Sequence, residues 1–407
     1  MSLQFIFGNS GSGKSHYLYQ QIVEESIRHP EKNYLVLVPE QFTMQTQKDL
    51  CMAHPRGGIM NIDVLSFGRL AHRVFEETGK ERQPILDDEG KNLVLRKIAG
   101  NYEDELTVLK GNLKKQGYIS EVKSVISEFT QYGIDFEQLD SFMEGLNSES
   151  YLYYKLKDIR KVYEGFEDYL RDKYITKEEL LDVLSQNVAE AKMLKDSVIA
   201  MDGFTGFTPV QNRLILELMR CCKEVWVTVT MDERENPYSY KHPYQLFGLS
   251  KQMVTTLVRM AGEDHIEVEE PVCLYGYPVK RFEKNKELAF LERNIFRYGS
   301  GRYDKAVENL EIHAAGNPRQ EADAVAEGIR RLVRKEQYRY RDIGVIVSDM
   351  NVYGDYLEQA FENYGIPVFM DHKRSILLNS FVEYIRSLLN MAEKNFSYES
   401  VFRFLRT

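Results

Sequence analysis

An α/β fold is predicted for this chain: a parallel-sheet domain, a large all-helical insertion within it, and a second α/β domain that is truncated. Three observations predict it. Short apolar runs alternate with helical stretches at both ends of the chain, as when parallel strands are joined through helices. The middle carries helical periodicity and no convincing strand. The chain has 407 residues, more than one ordinary hydrophobic core organises.

Residues 3–7 read as a short buried strand, followed by a glycine-rich loop and a helix over 14–26. Residues 34–38 (Tyr-Leu-Val-Leu-Val) are continuously apolar and end at Pro39, the pattern of a central parallel strand. A helix is expected from Phe42, a third strand at 64–66 and a helix over 67–78. From 79 to 195 only helical periodicity is found. Leu152, Leu156, Ile159, Tyr163, Phe166 and Leu170 recur at steps of four and three, so they share one helix face. That face reads as a helical core; a nucleic-acid stacking platform is the other reading. Strands return at 197–201 and 224–229. The expected organisation is therefore a sheet domain from 1–79 and 196–235, a helical insertion over 80–195, a connecting region over 236–308, and a second α/β domain over 309–407. The last is expected to hold strands 311–314, 343–347 and 368–370 and helices 319–334 and 353–363. The chain stops at Thr407 without a turn or cap signal, so a piece of something longer is expected.

The composition is that of a soluble protein, with 43% hydrophobic and 28% charged residues. A formal net charge of -9 argues against a surface that coats duplex DNA, because such binding displaces counterions with many Lys and Arg. A local basic groove remains compatible with it. Cys51, Cys221, Cys222 and Cys273 fit neither a zinc ribbon nor an iron–sulfur run and read as inert thiols. No apolar run is long enough to span a bilayer, and the N-terminus leads straight into a strand without a signal-peptide pattern. A cytoplasmic location is expected.

Gly8-Asn9-Ser10-Gly11-Ser12-Gly13-Lys14-Ser15 matches G-x-x-x-x-G-K-[ST], a phosphate-binding P-loop, at every fixed position. Its glycines let backbone N–H groups turn inward toward phosphate oxygens, and the helix that follows adds its positive end. Lys14 would reach the β- and γ-phosphates and Ser15 would hold Mg²⁺, so a nucleoside triphosphate, ATP above all, is the expected ligand. A hydrolase of this kind needs an Asp after another strand to hold the metal. Asp202, at the end of the 197–201 strand, is the candidate, with the start of a turn as its other reading. The next residue is Gly203, which offers no base where many DNA motors place a Glu. Slow or absent hydrolysis is expected, since general-base help is worth on the order of a hundredfold or more. No catalytic residue is assigned.

The P-loop near the N-terminus, Leu37-Val38-Pro39-Glu40-Gln41-Phe42-Thr43, Val64-Leu65-Ser66-Phe67-Gly68-Arg69-Leu70 and Met201-Asp202-Gly203-Phe204-Thr205-Gly206-Phe207-Thr208-Pro209-Val210-Gln211 together closely resemble the AddB (RexB) family. These are the B subunits of bacterial ATP-dependent helicase/deoxyribonucleases. Gly365-Ile366-Pro367-Val368-Phe369-Met370-Asp371-His372-Lys373-Arg374 also looks like the family, and the resemblance runs along the whole chain. It implies a P-loop NTPase fold like that of superfamily 1 helicases. It implies ATP and Mg²⁺ as ligands, single-stranded DNA and double-stranded ends as partners, and an AddA-type subunit completing a heterodimer. The role implied is repair of double-strand breaks by homologous recombination. The family's nuclease domain, with its iron–sulfur cluster, is implied only for a C-terminal part this chain lacks.

Set against D-E-x-Q-D-x-x-x-x-Q of active motors, Asp202 and Gln211 are kept, while Gly203, Thr205 and Gly206 replace the other three. The resemblance makes Gln211 a candidate sensor of the γ-phosphate. A Gln motif that reads adenine upstream of the P-loop has no room before Leu3. These departures fit a subunit that holds nucleotide while its partner drives unwinding. By analogy with superfamily 1 motors, Gln41, Thr43 and Ser66 would face DNA phosphates, joined by Arg69 and Arg73 on one helix face. Helix capping by Thr43 and Ser66 and simple solvation of the arginines are the other readings. Two rival functions stand beside this one. A P-loop phosphotransferase acting on a small molecule would phosphorylate a metabolite. A non-catalytic DNA-repair scaffold would bind no nucleotide.

Overall fold

A computed structural model describes residues 1–79, 84–112, 115–171, 173–299, 301–371 and 376–407. His372, Lys373 and Arg374 of the family-like stretch lie outside the described residues. The chain divides into two compact units, Met1–Asn309 and Leu310–Thr407.

The first unit is built on a parallel sheet. Its strands are β1 (Ser2–Gly8), β2 (Tyr34–Leu37), β3 (Ile62–Leu65), β6 (Val198–Met201), β7 (Glu224–Thr230), β8 (Glu267–Val268) and β9 (Val272–Cys273). The spatial order is β3-β2-β6-β7-β1-β8, and β9 also pairs with β1. The main register sets Leu3 against Val225 and Phe7 against Val229, and Leu37 against Met201. Alternate side chains leave the sheet on opposite faces. Leu3, Phe5, Phe7, Leu35 and Leu37 enter one core, while Ile6, Tyr34, Val36 and Val38 enter the other. Both faces are covered, which is why β2 and β6 read as unbroken apolar runs.

Helices α1 (Lys14–Arg28) and α2 (Thr43–Ala53) cover the second of these faces through Leu18, Ile22 and Leu50. The first face is covered by α3 (Phe67–Thr78), α8 (Glu179–Asn187), α9 (Pro209–Cys221) and α10 (Gly248–Glu263). Between α3 and α8 lie α4 (Asp88–Asn101), α5 (Gln116–Tyr132), α6 (Phe136–Glu144) and α7 (Tyr151–Leu170). Helices α4, α5 and α7 share a separate core with Ile98, Ile126, Val162 and Phe166 at its centre. Four of the six residues in the predicted stripe are buried there, Ile159, Tyr163, Phe166 and Leu170, whereas Leu152 at the first turn of α7 is exposed. The middle is not free of strands: β4 (Ile85–Leu86) pairs in parallel with β5 (Ile175–Thr176). Two residues per strand are too few to show an alternation, so nothing in the sequence marks this pair. Helix α8, in the stretch read as insertion, packs its Leu180 and Leu184 into the core of the main sheet. The unit closes with α11 (Lys286–Asn294).

The second unit contains α12 (Pro318–Lys335), α13 (Met350–Asn363), α14 (Ser380–Glu393) and α15 (Tyr398–Leu405). Ala322, Ala326, Ile329, Leu357 and Phe361 form the small core between α12 and α13. The three strands expected here are absent among the described residues: 311–314, 343–347 and 368–370 carry no regular secondary structure. Ile312 is 93%, Ile346 100% and Phe369 90% exposed. An apolar run becomes a strand only when a neighbour accepts its backbone hydrogen bonds, and no such ladder joins these runs among the described residues of this unit.

The described cysteines are free, and Cys222 is buried, its thiol pushed up to about 12 by burial. Among the described residues, no helix is long and apolar enough to cross a membrane.

Candidate functional site

The site forms where β1, β6 and β7 end, at the carboxyl edge of the sheet, the usual place for a ligand in an open parallel fold. Strand β1 ends at Gly8 and α1 begins at Lys14. Between them the chain turns, with the Ser12 N–H donating to the Asn9 carbonyl at 3.1 Å. Gly11 has φ +82 and Gly13, the N-cap of α1, has φ +98, conformations that residues with a Cβ rarely adopt. Gly11 has a second reason to be glycine. A Cβ there would come 2.8 Å from the Cβ of Arg281, whose N–H donates to the Gly11 carbonyl at 3.0 Å. The first turn of α1 carries no acidic residue, so the positive end of this helix is not neutralised from within.

The Lys14 ammonium curls over its own loop, donating to the carbonyls of Gly8 at 3.0 Å and Asn9 at 2.9 Å. Burial lowers its pKa from 10.5 to about 8; Asp202 and Glu292 oppose that shift and Arg281 adds to it. Asn9 is buried and its side-chain amide donates to Glu292 on α11 at 3.4 Å. Ser12 Oγ is buried without a hydrogen-bond partner, and Ser10 is exposed on the rim.

Asp202 follows β6 directly and is 6% exposed. Three hydroxyls converge on its carboxylate. Ser15 donates to Oδ1 at 3.1 Å, Thr228 on β7 donates to Oδ1 at 2.6 Å, and Tyr19 donates to Oδ2 at 2.9 Å. Burial first, and the facing Asp202 second, hold the Tyr19 phenol protonated well above its ordinary range. A cavity of about 530 Å³ opens over this floor, lined by Gly13, Lys14, Ser15, Asp202, Lys280 and Arg281 among others. Its size is that of a small-molecule site. Lys14, Lys280 and Arg281 face it against one carboxylate, Asp202, among the described lining residues. Such an imbalance attracts a polyanion.

Ser15 Oγ and Asp202 Oδ1, oxygens 3.1 Å apart, fit Mg²⁺, which takes few protein ligands and completes its shell with water and phosphate oxygens. No group of three or more His, Cys, Asp or Glu able to hold a metal occurs among the described residues.

The structure thus brings Gly8 to Ser15 and Asp202 together. Gly203 has φ +80 and no side chain to offer. Gln211 is placed differently. Its Oε1 accepts from the Thr208 N–H at 2.9 Å, and its own N–H donates to Thr208 Oγ1 at 3.3 Å. This closes a capping box at the start of α9, and Gln211 is not among the cavity's lining residues.

The candidate DNA contacts form a separate cluster. Thr43 is buried and donates to the Glu40 carbonyl at 3.0 Å. Ser66 is buried, caps α3 by accepting from the Arg69 N–H, and donates to the Glu40 carboxylate. Arg69 pairs with the same carboxylate at 3.4 Å, and Arg73 pairs with Asp63 at 2.8 Å. Gln41 is exposed.

Sequence reasoning missed Lys280, Arg281, Thr228 and Tyr19. Tyr19 carries a legible signal, because it lies four residues after Ser15 and so on the same helix face. Lys280 and Arg281 carry none, since only the fold brings them to a loop so distant in the chain.

The family described as "ADDB, N-terminal" matches residues 5–292. Among similar proteins, one from Lachnoclostridium phytofermentans is 44% identical over 413 residues, covering 100% of this chain and 36% of its own length. One from Caldanaerobacter subterraneus subsp. tengcongensis is 36% identical, covering 100% of this chain and 35% of its own length. One from Clostridium perfringens is 33% identical with the same coverage. Each is described as the B subunit of an ATP-dependent helicase/deoxyribonuclease. The chain spans about a third of the length of the curated relatives it matches.

Proposed function

The chain belongs to the ADDB N-terminal family, and from that premise we propose that it is the nucleotide-holding, helicase-like part of the B component of a helicase/deoxyribonuclease. Its first unit acts as a P-loop NTPase domain that grips Mg·ATP. The observation that carries this reading is the convergence of Lys14, Lys280 and Arg281 over a floor made by Ser15 and Asp202. The loop N–H groups and the free end of α1 take the phosphates. Lys14 leaves its loop carbonyls for the β- and γ-phosphates, while Lys280 and Arg281 close over them from the other side of the cavity. Ser15 and Asp202 would hold Mg²⁺, which would offset the negative charge of the phosphates.

Gripping is not turnover. No carboxylate other than Asp202 lines the cavity among the described residues, so no second acidic side chain there stands ready to activate water. In this reading the chain holds nucleotide in the complex, and an AddA-type partner supplies the motor. The names of its relatives join ATP, helicase and deoxyribonuclease. For this chain we carry them over as a role in double-strand break repair by homologous recombination, in the cytoplasm and in contact with DNA.

Calorimetry with Mg·ATP, followed by phosphate release with and without single-stranded DNA, tests the reading. Binding without DNA-stimulated release is expected. No binding would leave the scaffold reading in its place. Strong DNA-stimulated release would make the chain a motor in its own right, and phosphorylation of a small metabolite would favour the phosphotransferase.

A further inference from the structure

Tyr19 does not line the nucleotide cavity, yet it makes the third hydrogen bond to the buried carboxylate on which that site rests. It stands on α1 one turn beyond Ser15, and both side chains reach Asp202, Ser15 at Oδ1 and Tyr19 at Oδ2. The Tyr19 oxygen also lies 3.2 Å from Thr46 Oγ1. A phenol has one proton, and it is directed to Asp202, so the second contact runs from the Thr46 hydroxyl to the Tyr19 oxygen. The result is a directed chain, Thr46 to Tyr19 to Asp202. Thr46 is buried on α2, just after the turn Glu40–Phe42 that follows β2. The backbone makes a parallel link: the Asp202 N–H donates to the Leu37 carbonyl at the end of β2 at 3.0 Å. A Cβ on Gly203 would lie 3.6 Å from Pro39 and 3.9 Å from Phe42.

We propose that Tyr19 is a positioning residue that fixes the Asp202 carboxylate for a metal-bound nucleotide and, through Thr46, ties occupancy of that site to the start of α2. The proposal rests on the reading of the cavity as a Mg·ATP site. An aspartate carboxylate turns easily about its last torsion. Ser15 and Thr228 both hold Oδ1, so Tyr19 is the donor that fixes Oδ2 and with it the plane of the group. Groups that orient a metal ligand in this way have large effects on metal affinity and little on the rest of the ligand. A cation that draws Asp202 toward Ser15 alters the Tyr19 bond and, behind it, the bond to Thr46. By linkage, whatever moves α2 acts back on the metal with equal free energy.

The test compares the wild-type chain with Tyr19→Phe, which keeps the ring, and Thr46→Val, which keeps the shape. Calorimetry is run with Mg·ATP and with ATP in excess EDTA, and amide hydrogen exchange is followed over residues 40–46. Tyr19→Phe should weaken Mg·ATP about tenfold and metal-free ATP by less than about twofold. Mg·ATP should slow exchange at 40–46 in the wild type and in neither variant, and Thr46→Val should lose less affinity than Tyr19→Phe. Equal weakening of both nucleotide forms, or of neither, overturns the positioning role. Protection that survives in Thr46→Val overturns the link to α2. A wild-type chain that binds no Mg·ATP sinks the nucleotide reading itself, whereas binding with an indifferent Tyr19→Phe sinks this inference alone.

Discussion

Two clusters of polar side chains sit at the carboxyl edge of the same sheet, and they are built on opposite plans. After β1, the cations Lys14, Lys280 and Arg281 line a cavity with a single carboxylate below them among the described lining residues, so positive charge is left over for a ligand. After β2 and β3, the polar groups close on one another: Glu40 takes both Ser66 and Arg69, and Thr43 bonds back to the Glu40 carbonyl. The first cluster is charged and incomplete, the second matched and complete. A polyanion gains most where cations converge with too few internal carboxylates to match them. At the second cluster it must first displace Glu40. The contrast predicts a nucleotide site that is strong in the isolated chain and a DNA contact that is weak there.

The largest test of that contrast is Lys14→Ala. It removes a charge-assisted contact and should weaken Mg·ATP on the order of tenfold to a hundredfold by calorimetry; unchanged affinity would show that the P-loop does not hold the nucleotide. The same residue predicts a pH effect. The free-state pKa of Lys14 is lowered to about 8, and phosphates favour the charged ammonium, so binding above that pH takes up a proton. Affinity should fall as pH rises from about 8 toward 10.5. The measured heat should then depend on the buffer's ionisation enthalpy. The unliganded fold moves the other way: between these pH values the unfolded chain holds more protons, so Lys14 makes the fold more stable as pH rises.

Next in size is Gly203→Glu, which restores the acidic residue of active motors in sequence. With φ +80 at this position, the side chain should cost about 1–2 kcal/mol of stability, seen as a lower Tm, without producing DNA-stimulated phosphate release. Release would show that the loop can rearrange and that the missing base was the only fault.

Arg281→Ala should weaken Mg·ATP about fivefold, with little effect on ADP if the guanidinium faces the outermost phosphate. The smallest change is expected from Glu40→Gln. Exposed ion pairs contribute at most about 1 kcal/mol, so freeing Arg69 and Ser66 should raise affinity for a single-stranded oligonucleotide by less than about fivefold. It should steepen the salt dependence by about one ion. No change in either would take Gln41, Thr43, Ser66 and Arg69 out of the DNA reading.

Local chemistry made much of the first unit legible. The run of glycines ending at Lys14 and Ser15 requires a turn that strands and helices cannot supply, and the unbroken apolar runs at 34–38 and 198–201 mark strands buried on both faces. Thr208-Pro209-Val210-Gln211 spells a capped helix start as clearly as it spells the remnant of a motor motif, and the cap is the arrangement the structure shows. What was illegible depended on partners far away in the chain. Runs at 311–314, 343–347 and 368–370 look like strands, yet pairing is a property of two segments, and among the described residues of the second unit no ladder joins them. The β4–β5 pair shows the converse, a ladder made by segments too short to announce it.

The sequence by itself determined the glycine loop, the helix that carries Lys14, Ser15 and Tyr19 on neighbouring turns, and the strand that ends at Asp202, because those features follow from φ preferences, helical spacing and apolar patterning over a few residues. Only the tertiary structure decided that Arg281 packs on Gly11, that Tyr19 and Thr228 share a carboxylate with Ser15, and that Glu40 covers Ser66 and Arg69. Each of those contacts joins segments separated by tens to hundreds of residues, and their energy depends on a placement that no local pattern encodes.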